Sequence, residues 1–266
     1  MSDFLNQNEK KISSEFEKKG YIIRDVADFS SLQKIRKVLL NAIKQNVKIE
    51  SKLSDEDILN NIHRKINQNQ INNIRLKIIN TINKNTNIRK LYYNVARKYL
   101  DILLGNELAM QMRLNLSIQM PNDTSSLLPV HSDVWSGDSP FEIVVWIPLV
   151  NCYRTKTMYI LPPNKYHKVK KIFSKRKNKS SKKIFELIKR DVNWLNVKYG
   201  QVLLFNQTLP HGNITNKEKE TRWSLNCRFK SVFTPYRDKK LGEFFEPITL
   251  RKISQLAVKY NLPEIE

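Results

Sequence analysis

Apolar and polar positions alternate in two different ways along the chain, and the change falls near residue 107. Before it, apolar residues recur at helical spacing. Ile35, Val38, Leu39 and Ile43 share one face of a helix that Ser30 or Ser31 can cap. Ser54 followed by Asp55, Glu56 and Asp57 opens another helix, with acids in the first turn where the helix dipole favours them. Ile58, Ile62, Ile66, Ile71 and Ile74 continue an apolar face, with a break expected near 67–72. A further helix is expected over about 87–104, with Leu91, Val95 and Tyr99 on one side. Ahead of these, 1–18 reads as a polar helix and Tyr21-Ile22-Ile23 as a short strand.

After residue 107 the period becomes two. Met112, Leu114, Leu116 and Ile118 alternate with Gln111, Arg113, Asn115, Ser117 and Gln119, which predicts one continuous strand with an apolar and a polar face. Residues 141–150 read as a buried strand, 156–163 as a short one, and 200–207 as a turn and strand. In 221–231, Arg222, Ser224, Asn226 and Arg228 share one face while Trp223, Leu225, Cys227 and Phe229 share the other. Residues 248–260 read as a closing helix. Helices followed by many short strands predict an α+β chain whose β part is a closed, barrel-like sandwich of jelly-roll type. The expected division of a single domain, 1–266, is a mainly helical part (1–106), a β core (107–235) with a basic insertion at about 164–190, and a C-terminal helix (236–266).

Charge changes this picture little. The formal net charge of +22 fits an anionic partner, yet the cations are dispersed and accompany an abundance of Asn and Ile, as codon bias would produce, so nucleic acid is not the favoured partner. The densest block, Lys168 to Lys183, reads as a solvated insertion loop, with a helix around 182–190 and His167 solvated at its start. The longest apolar run, 141–150, contains Glu142 and is too short to span a bilayer. The N-terminal stretch lacks the apolar core of a secretory leader, and two cysteines, Cys152 and Cys227, suit buried thiols, so a cytoplasmic location is expected.

Candidate chemistry centres on His131-Ser132-Asp133. On a strand, His-x-Asp sends both side chains to one face, and His211 supplies a third ligand from a separate strand. Two imidazoles and a carboxylate can cap one face of an octahedral Fe(II), leaving three positions for a bidentate 2-oxo acid and O2. Zinc accepts the same residue types, so the triad alone leaves the metal open. Gly212, next to His211, suggests backbone freedom beside the ligand. Arg222 and Ser224 on one face would make a carboxylate clamp if that face points inward, and an ordinary charged surface if it does not.

In order, His131-x-Asp133, His211, Arg222 and Ser224 resemble the Fe(II)/2-oxoglutarate-dependent oxygenases, specifically the phytanoyl-CoA dioxygenase-like group. The opening Gly20-Tyr-Ile-Ile-Arg-Asp and the stretch Gly200…Leu204-Phe205…His211-Gly212 are similar to that group too, so the resemblance covers most of the chain. The segment HSDVWSGDSPFEIVVWIPLV resembles members from bacterial surface-carbohydrate gene clusters. The resemblance implies a double-stranded β-helix (jelly-roll, cupin-like) core with the helical N-terminal part packed on it. It implies Fe(II) on His131, Asp133 and His211, and 2-oxoglutarate held by Arg222 with Ser224. Gln119 and Asn115 match cosubstrate-contacting positions, Trp146 and Trp135 would wall the pocket, and Arg113 and Arg228 are candidate substrate contacts. The implied reaction uses O2 and converts 2-oxoglutarate to succinate while hydroxylating a carbohydrate or sugar-linked substrate, an anionic one given the basic residues. The alternatives are the same chemistry on another small molecule, or a catalytically silent β-helix protein that binds an anionic partner. One departure is Leu161-Pro-Pro-Asn-Lys-Tyr-His167, which lacks the Gly-Ser-His run common in the group and leads into the lysine-rich insert.

Overall fold

The computed structural model describes residues 4–50, 52–174 and 180–260. The helical front forms where the periodicity places it. α1 (Gln7–Lys19) starts at a reciprocal cap between Asn6 and Glu9 and stops at Gly20, whose left-handed backbone few other residues adopt. β1 (Tyr21–Asp25) leads to α2 (Phe29–Asn46), capped by Asp28 rather than by Ser30 or Ser31: the Asp28 carboxylate accepts from both the amide and the hydroxyl of Ser31. α3 (Asp55–Asn60) is capped by Ser54, α4 (Gln68–Lys84) by an Asn67–Gln70 box, and α5 (Ile88–Leu104) follows. The apolar sides of α2, α4 and α5 share one buried cluster with the strands described next.

The stretch expected as one strand is two, β2 (Leu108–Gln111) and β3 (Asn115–Gln119). Asn83 of α4 causes the interruption. Its carboxamide accepts from the Leu114 amide at 2.8 Å and donates to the Leu114 carbonyl at 3.1 Å, so that backbone is satisfied without a ladder. Both strands pair with β9 (Arg222–Ser231). β4 (Ile143–Pro148) and β7 (Gln201–Asn206) complete the centre of an antiparallel sheet ordered β1-β7-β4-β9-β2-β10 with β3 also on β9, where β10 is Phe245–Pro247. Tyr92 of α5 is fully buried and donates to the carbonyls of Val145 and Leu225, pinning that helix to β4 and β9.

A second sheet holds β5 (Tyr159–Ile160), β6 (Asn193–Trp194) and β8 (His211–Gly212), in the order β6-β5-β8. The basic insertion backs this sheet and is not a solvated loop. It carries α6 (His167–Ser174) and α7 (Ser181–Ile188), and Val169, Ile184 and Ile188 close a small core with Val130, Tyr159 and Leu161. The lysines are interleaved with apolar residues at helical spacing, which charge counting overlooks. Residues 175–179 of that block lie outside the described residues. Nor is the C-terminal part simply a helix: β10 joins the large sheet, and α8 is the short Lys252–Ala257. No described helix is long and apolar enough to cross a membrane.

Candidate metal and 2-oxo acid site

A cavity of about 590 Å³ lies between the two sheets, bordered by β3, β4, β8, β9 and the start of the loop at His131. His131 is not in a regular strand. It makes an isolated bridge to His211, each backbone amide donating to the other residue's carbonyl at 2.9 and 2.8 Å. Ser132 is extended and Asp133 begins a 3-10 turn, so the one extended residue between them suffices to put His131 and Asp133 on the same side. The bridge sets the two imidazoles 4.3 Å apart between ring centroids.

Three side chains then converge. Asp133 Oδ1 lies 3.6 Å from His131 Nε2 and 3.9 Å from His211 Nε2, and one ligand atom from each residue falls within 4.8 Å of the others. Each imidazole is oriented by its other nitrogen. His131 Nδ1 is 2.8 Å from the Pro129 carbonyl and His211 Nδ1 is 2.9 Å from that of Leu209. A carbonyl only accepts, so Nδ1 carries the proton and Nε2 presents a lone pair to the common point. Burial, reinforced by the neighbouring His131, pushes His211 down to about 4, which keeps it neutral and able to ligate at ordinary pH.

The remaining oxygen of Asp133 is taken. Arg228 Nη2 lies 3.1 Å from Asp133 Oδ2, while its Nε lies 3.1 Å from Asp138 Oδ1 and donates to Gln207 Oε1 at 3.0 Å. Lys239 closes the chain on Asp138 at 2.6 Å. Glu142, raised above its usual range by burial, accepts from Gln207 in the same network.

Arg222 lies across the cavity. It is 3% exposed and has no carboxylate within salt-bridge reach among the described residues. Its Nη1 donates to the Thr157 carbonyl at 3.1 Å and its Nη2 to Ser117 Oγ at 2.8 Å, but Nε has no partner. Burial lowers it only to about 10, so it remains a cation. Ser224 Oγ, Thr157 Oγ1 and Gln119 Oε1, which flank it in the sheet or beside it, are likewise buried without partners. A buried guanidinium without a counter-charge is costly, and its free Nε with the unpartnered hydroxyls of Ser224 and Thr157, all able to donate, fits a carboxylate ligand, whereas Gln119 Oε1 only accepts.

Of the residues singled out from the sequence, the structure gathers His131, Asp133, His211, Arg222, Asn115, Trp146 and Arg228 around this cavity. Ser224 and Gln119 lie behind the lining, and Gln119 donates to the Ile214 carbonyl at 2.7 Å. Trp135 is 37% exposed in the turn after Asp133, and Arg113 is exposed in the bend between β2 and β3; neither borders the cavity. The alternation in β9 put Arg222, Asn226 and Arg228 on one face and left its direction open; that face points into the cavity. His63 binds Thr221 Oγ1 at 3.0 Å, away from the triad, and the two cysteines are free and buried.

The cavity also has a wall that the motifs did not reveal: Arg75, Leu76 and Ile79 of α4, with Asn226 of β9 and Phe205 of β7. A signal existed for Arg75, which stands on the stripe of Ile71, Ile78 and Ile82 at i+4 and i+3 spacing.

No family model matches the chain, and no curated protein matches it. Solved structures do. A non-heme monooxygenase, the ThoJ–Ni complex, superposes with a TM-score of 0.53 at 13% identity, covering 91% of this chain and 85% of that one. EctD from S. alaskensis in its apo form gives 0.55 at 13%, covering 89% and 81%. The non-heme alpha-ketoglutarate-dependent carbocyclase SnoK from nogalamycin biosynthesis gives 0.51 at 13%, covering 88% and 87%. At this identity the likeness is one of fold.

Proposed function

We propose that this protein is a non-haem Fe(II)/2-oxoglutarate-dependent dioxygenase that hydroxylates a small molecule. The observation that carries the reading is one cavity holding both a convergent His131–Asp133–His211 set and a buried Arg222 with an unpartnered Nε. His131, Asp133 and His211 would hold the iron, and Arg222 would pair with the distal carboxylate of 2-oxoglutarate. Bound there, the two would supply the oxidising chemistry, in which O2 and 2-oxoglutarate are consumed, succinate and CO2 leave, and a substrate C–H becomes C–OH. A zinc site would use the same three ligands, but it would leave Arg222 without an anion. The EctD fold relative has been solved with Fe and with 2-oxoglutarate and 5-hydroxyectoine, which supports the same assignment by analogy.

The chain's own contribution is placement. The Pro129 and Leu209 carbonyls fix both imidazole lone pairs, Arg222 and Ser117 orient the cosubstrate, and Trp146 and Phe205 exclude water from one side. We assign the single-domain, double-stranded β-helix organisation to the two facing sheets, with the helical part against the larger one. We read the substrate body as a carbohydrate or sugar-linked compound. Asn115, Asn213 and Asn226 amides beside the Trp146 ring suit a hydroxylated molecule, in keeping with the surface-carbohydrate resemblance.

The test is anaerobic addition of Fe(II) and then 2-oxoglutarate to the purified protein, following the visible charge-transfer band of a chelated 2-oxo acid. The wild type gives the band and Asp133→Ala does not. Arg222→Gln needs about 10–100 times more 2-oxoglutarate, as expected when a charge-assisted pair is lost. A wild-type protein that retains iron yet gives no band, or an Asp133→Ala variant with an unchanged band, overturns the assignment.

A further inference from the structure

Three arginines border the cavity, Arg75, Arg222 and Arg228, against a single lining carboxylate, Asp133. Two of them have a use already. Arg228 is neutralised by Asp133 and Asp138, and Arg222 faces the 2-oxo acid pocket. An iron dication and a 2-oxoglutarate dianion cancel each other, so loading the site leaves the excess of positive charge where it was. Arg75 is what remains. Its only hydrogen-bond acceptor among the described residues is the neutral Asn72 Oδ1, one turn earlier on α4, at 2.6 Å, and no carboxylate reaches it.

The backbone that carries Arg75 is also held in place. Its helix is fixed to the sheet about two turns further on, where Asn83 grips both backbone groups of Leu114. The next residues of that strand, Asn115, Leu116 and Ser117, line the same cavity, so the α4 backbone that carries Arg75 and the β3 wall border one mouth. Leu76 and Leu128 beside it are half exposed, and the Ser126 side chain borders the same opening. An apolar rim lowers the local dielectric around the guanidinium and strengthens its pull on an anion.

Resting on the oxygenase reading, we propose that Arg75 is the subsite for an anionic oxygen group, a phosphate monoester or a carboxylate, carried by the substrate at the end away from the oxidised carbon. The iron centre then acts on the body of a molecule whose charged end is anchored at α4. The reaction that supplies such a substrate is a phosphorylation or an oxidation to the acid that precedes hydroxylation.

The experiment uses the protein loaded anaerobically with Fe(II) and 2-oxoglutarate. Glucose 6-phosphate, glucuronate and uncharged methyl glucoside are each titrated while tryptophan fluorescence is followed, with Trp146→Phe identifying the cavity signal; hexanoate and hexanol form a second matched pair without a sugar. The wild type binds at least one anion about tenfold or more tightly than its neutral counterpart, which is the effect of one charge-assisted contact. Arg75→Gln removes that preference and leaves the neutral probes unchanged, and Arg75→Lys restores part of it. Glucose 6-phosphate against glucuronate separates phosphate from carboxylate. Equal binding of anionic and neutral probes to the wild type, or a preference that survives Arg75→Gln, overturns the subsite. The same titrations without metal keep this result separate from the iron assignment: a missing chelate band with an intact Arg75-dependent preference counts against the oxygenase reading alone.

Discussion

At the scale of single residues, the two oxygens of Asp133 do different things. Oδ1 faces both imidazoles and Oδ2 is held by Arg228, which is itself braced by Asp138 and Gln207. A carboxylate clamped through one oxygen presents the other in one direction, so Arg228 orients Asp133 Oδ1 towards the candidate metal site rather than simply adding charge to the pocket. Arg228→Gln is therefore expected to weaken divalent metal binding by about 10–100-fold. Co(II) titration followed by its visible absorption checks this, and Arg228→Lys should recover part of the loss because a cation returns to Oδ2. Unchanged Co(II) affinity and spectrum in Arg228→Gln would remove Arg228 from that role. The alternation of 221–231 was enough to place Arg222 and Arg228 on one face, and the fold turns that face inward. The alternation did not distinguish them, because what separates the two is Asp138, Gln207 and Lys239, brought together from three distant stretches.

Among the elements, one of the three two-residue strands carries the most consequence. β8 is only His211 and Gly212, yet it pairs with β5 on one side and bridges His131 on the other. Backbone freedom is not the reason for the glycine, since Gly212 is not among the residues with positive φ. Close approach is. A Cβ at this position would lie 2.7 Å from the Tyr159 hydroxyl, 2.8 Å from the Leu128 carbonyl oxygen and 3.1 Å from Pro129 C. The Pro129 carbonyl orients His131, so the backbone cannot move aside without turning that imidazole. Gly212→Ala should cost about 1–3 kcal/mol of stability and weaken metal binding as well, read by thermal unfolding and by Co(II) titration. A variant with lost stability but wild-type affinity would show that the strain is absorbed on the Tyr159 side. Such packing is invisible in sequence, as is the break between β2 and β3, which depends on Asn83 reaching across from another element. Long periodic segments were legible because the period itself encodes burial: α5, β4, β7 and β9 stand where 87–104, 141–150, 200–207 and 221–231 placed them. The helix expected around 182–190 stands as α7, but the block before it misled because charge density hid α6 and the burial of Val169.

On the scale of the whole molecule, 47 basic against 25 acidic side chains make the folded state self-repelling, so the carboxylates matter more for stability than their number suggests. Glu15 is held down to about 2 from 4.5, chiefly by its hydrogen bond from Arg24, which ties α1 to β1. Asp28, the cap of α2, is also lowered by its bonds from Ser31. A carboxylate whose folded value is depressed contributes stability that is fully present above its unfolded value and is lost as pH falls through the folded one. For Glu15 that window runs from about 4.5 down to about 2. Glu142 and Asp101 are raised by burial and have the opposite sign, so their protonation favours the folded state as acid is added. They lie in the site network and on α5, whereas the lowered carboxylates, Glu15 and Asp28 with Glu50, Glu107 and Asp191, make outer contacts, so acid is expected to loosen those contacts before the site, the tie of α1 to β1 among them. The thermal midpoint should fall between pH 6 and pH 3, and Glu15→Gln should lower it at pH 6 while making it less sensitive to acid, so that the two curves converge as the pH approaches 2. Added salt should raise the thermal midpoint of both proteins at acid pH, because screening relieves the repulsion that protonation exposes. Curves that stay parallel over the whole range would mean that the Arg24–Glu15 pair is as strong in the unfolded chain as in the folded one, and the acid limb would then have to come from general charge repulsion alone.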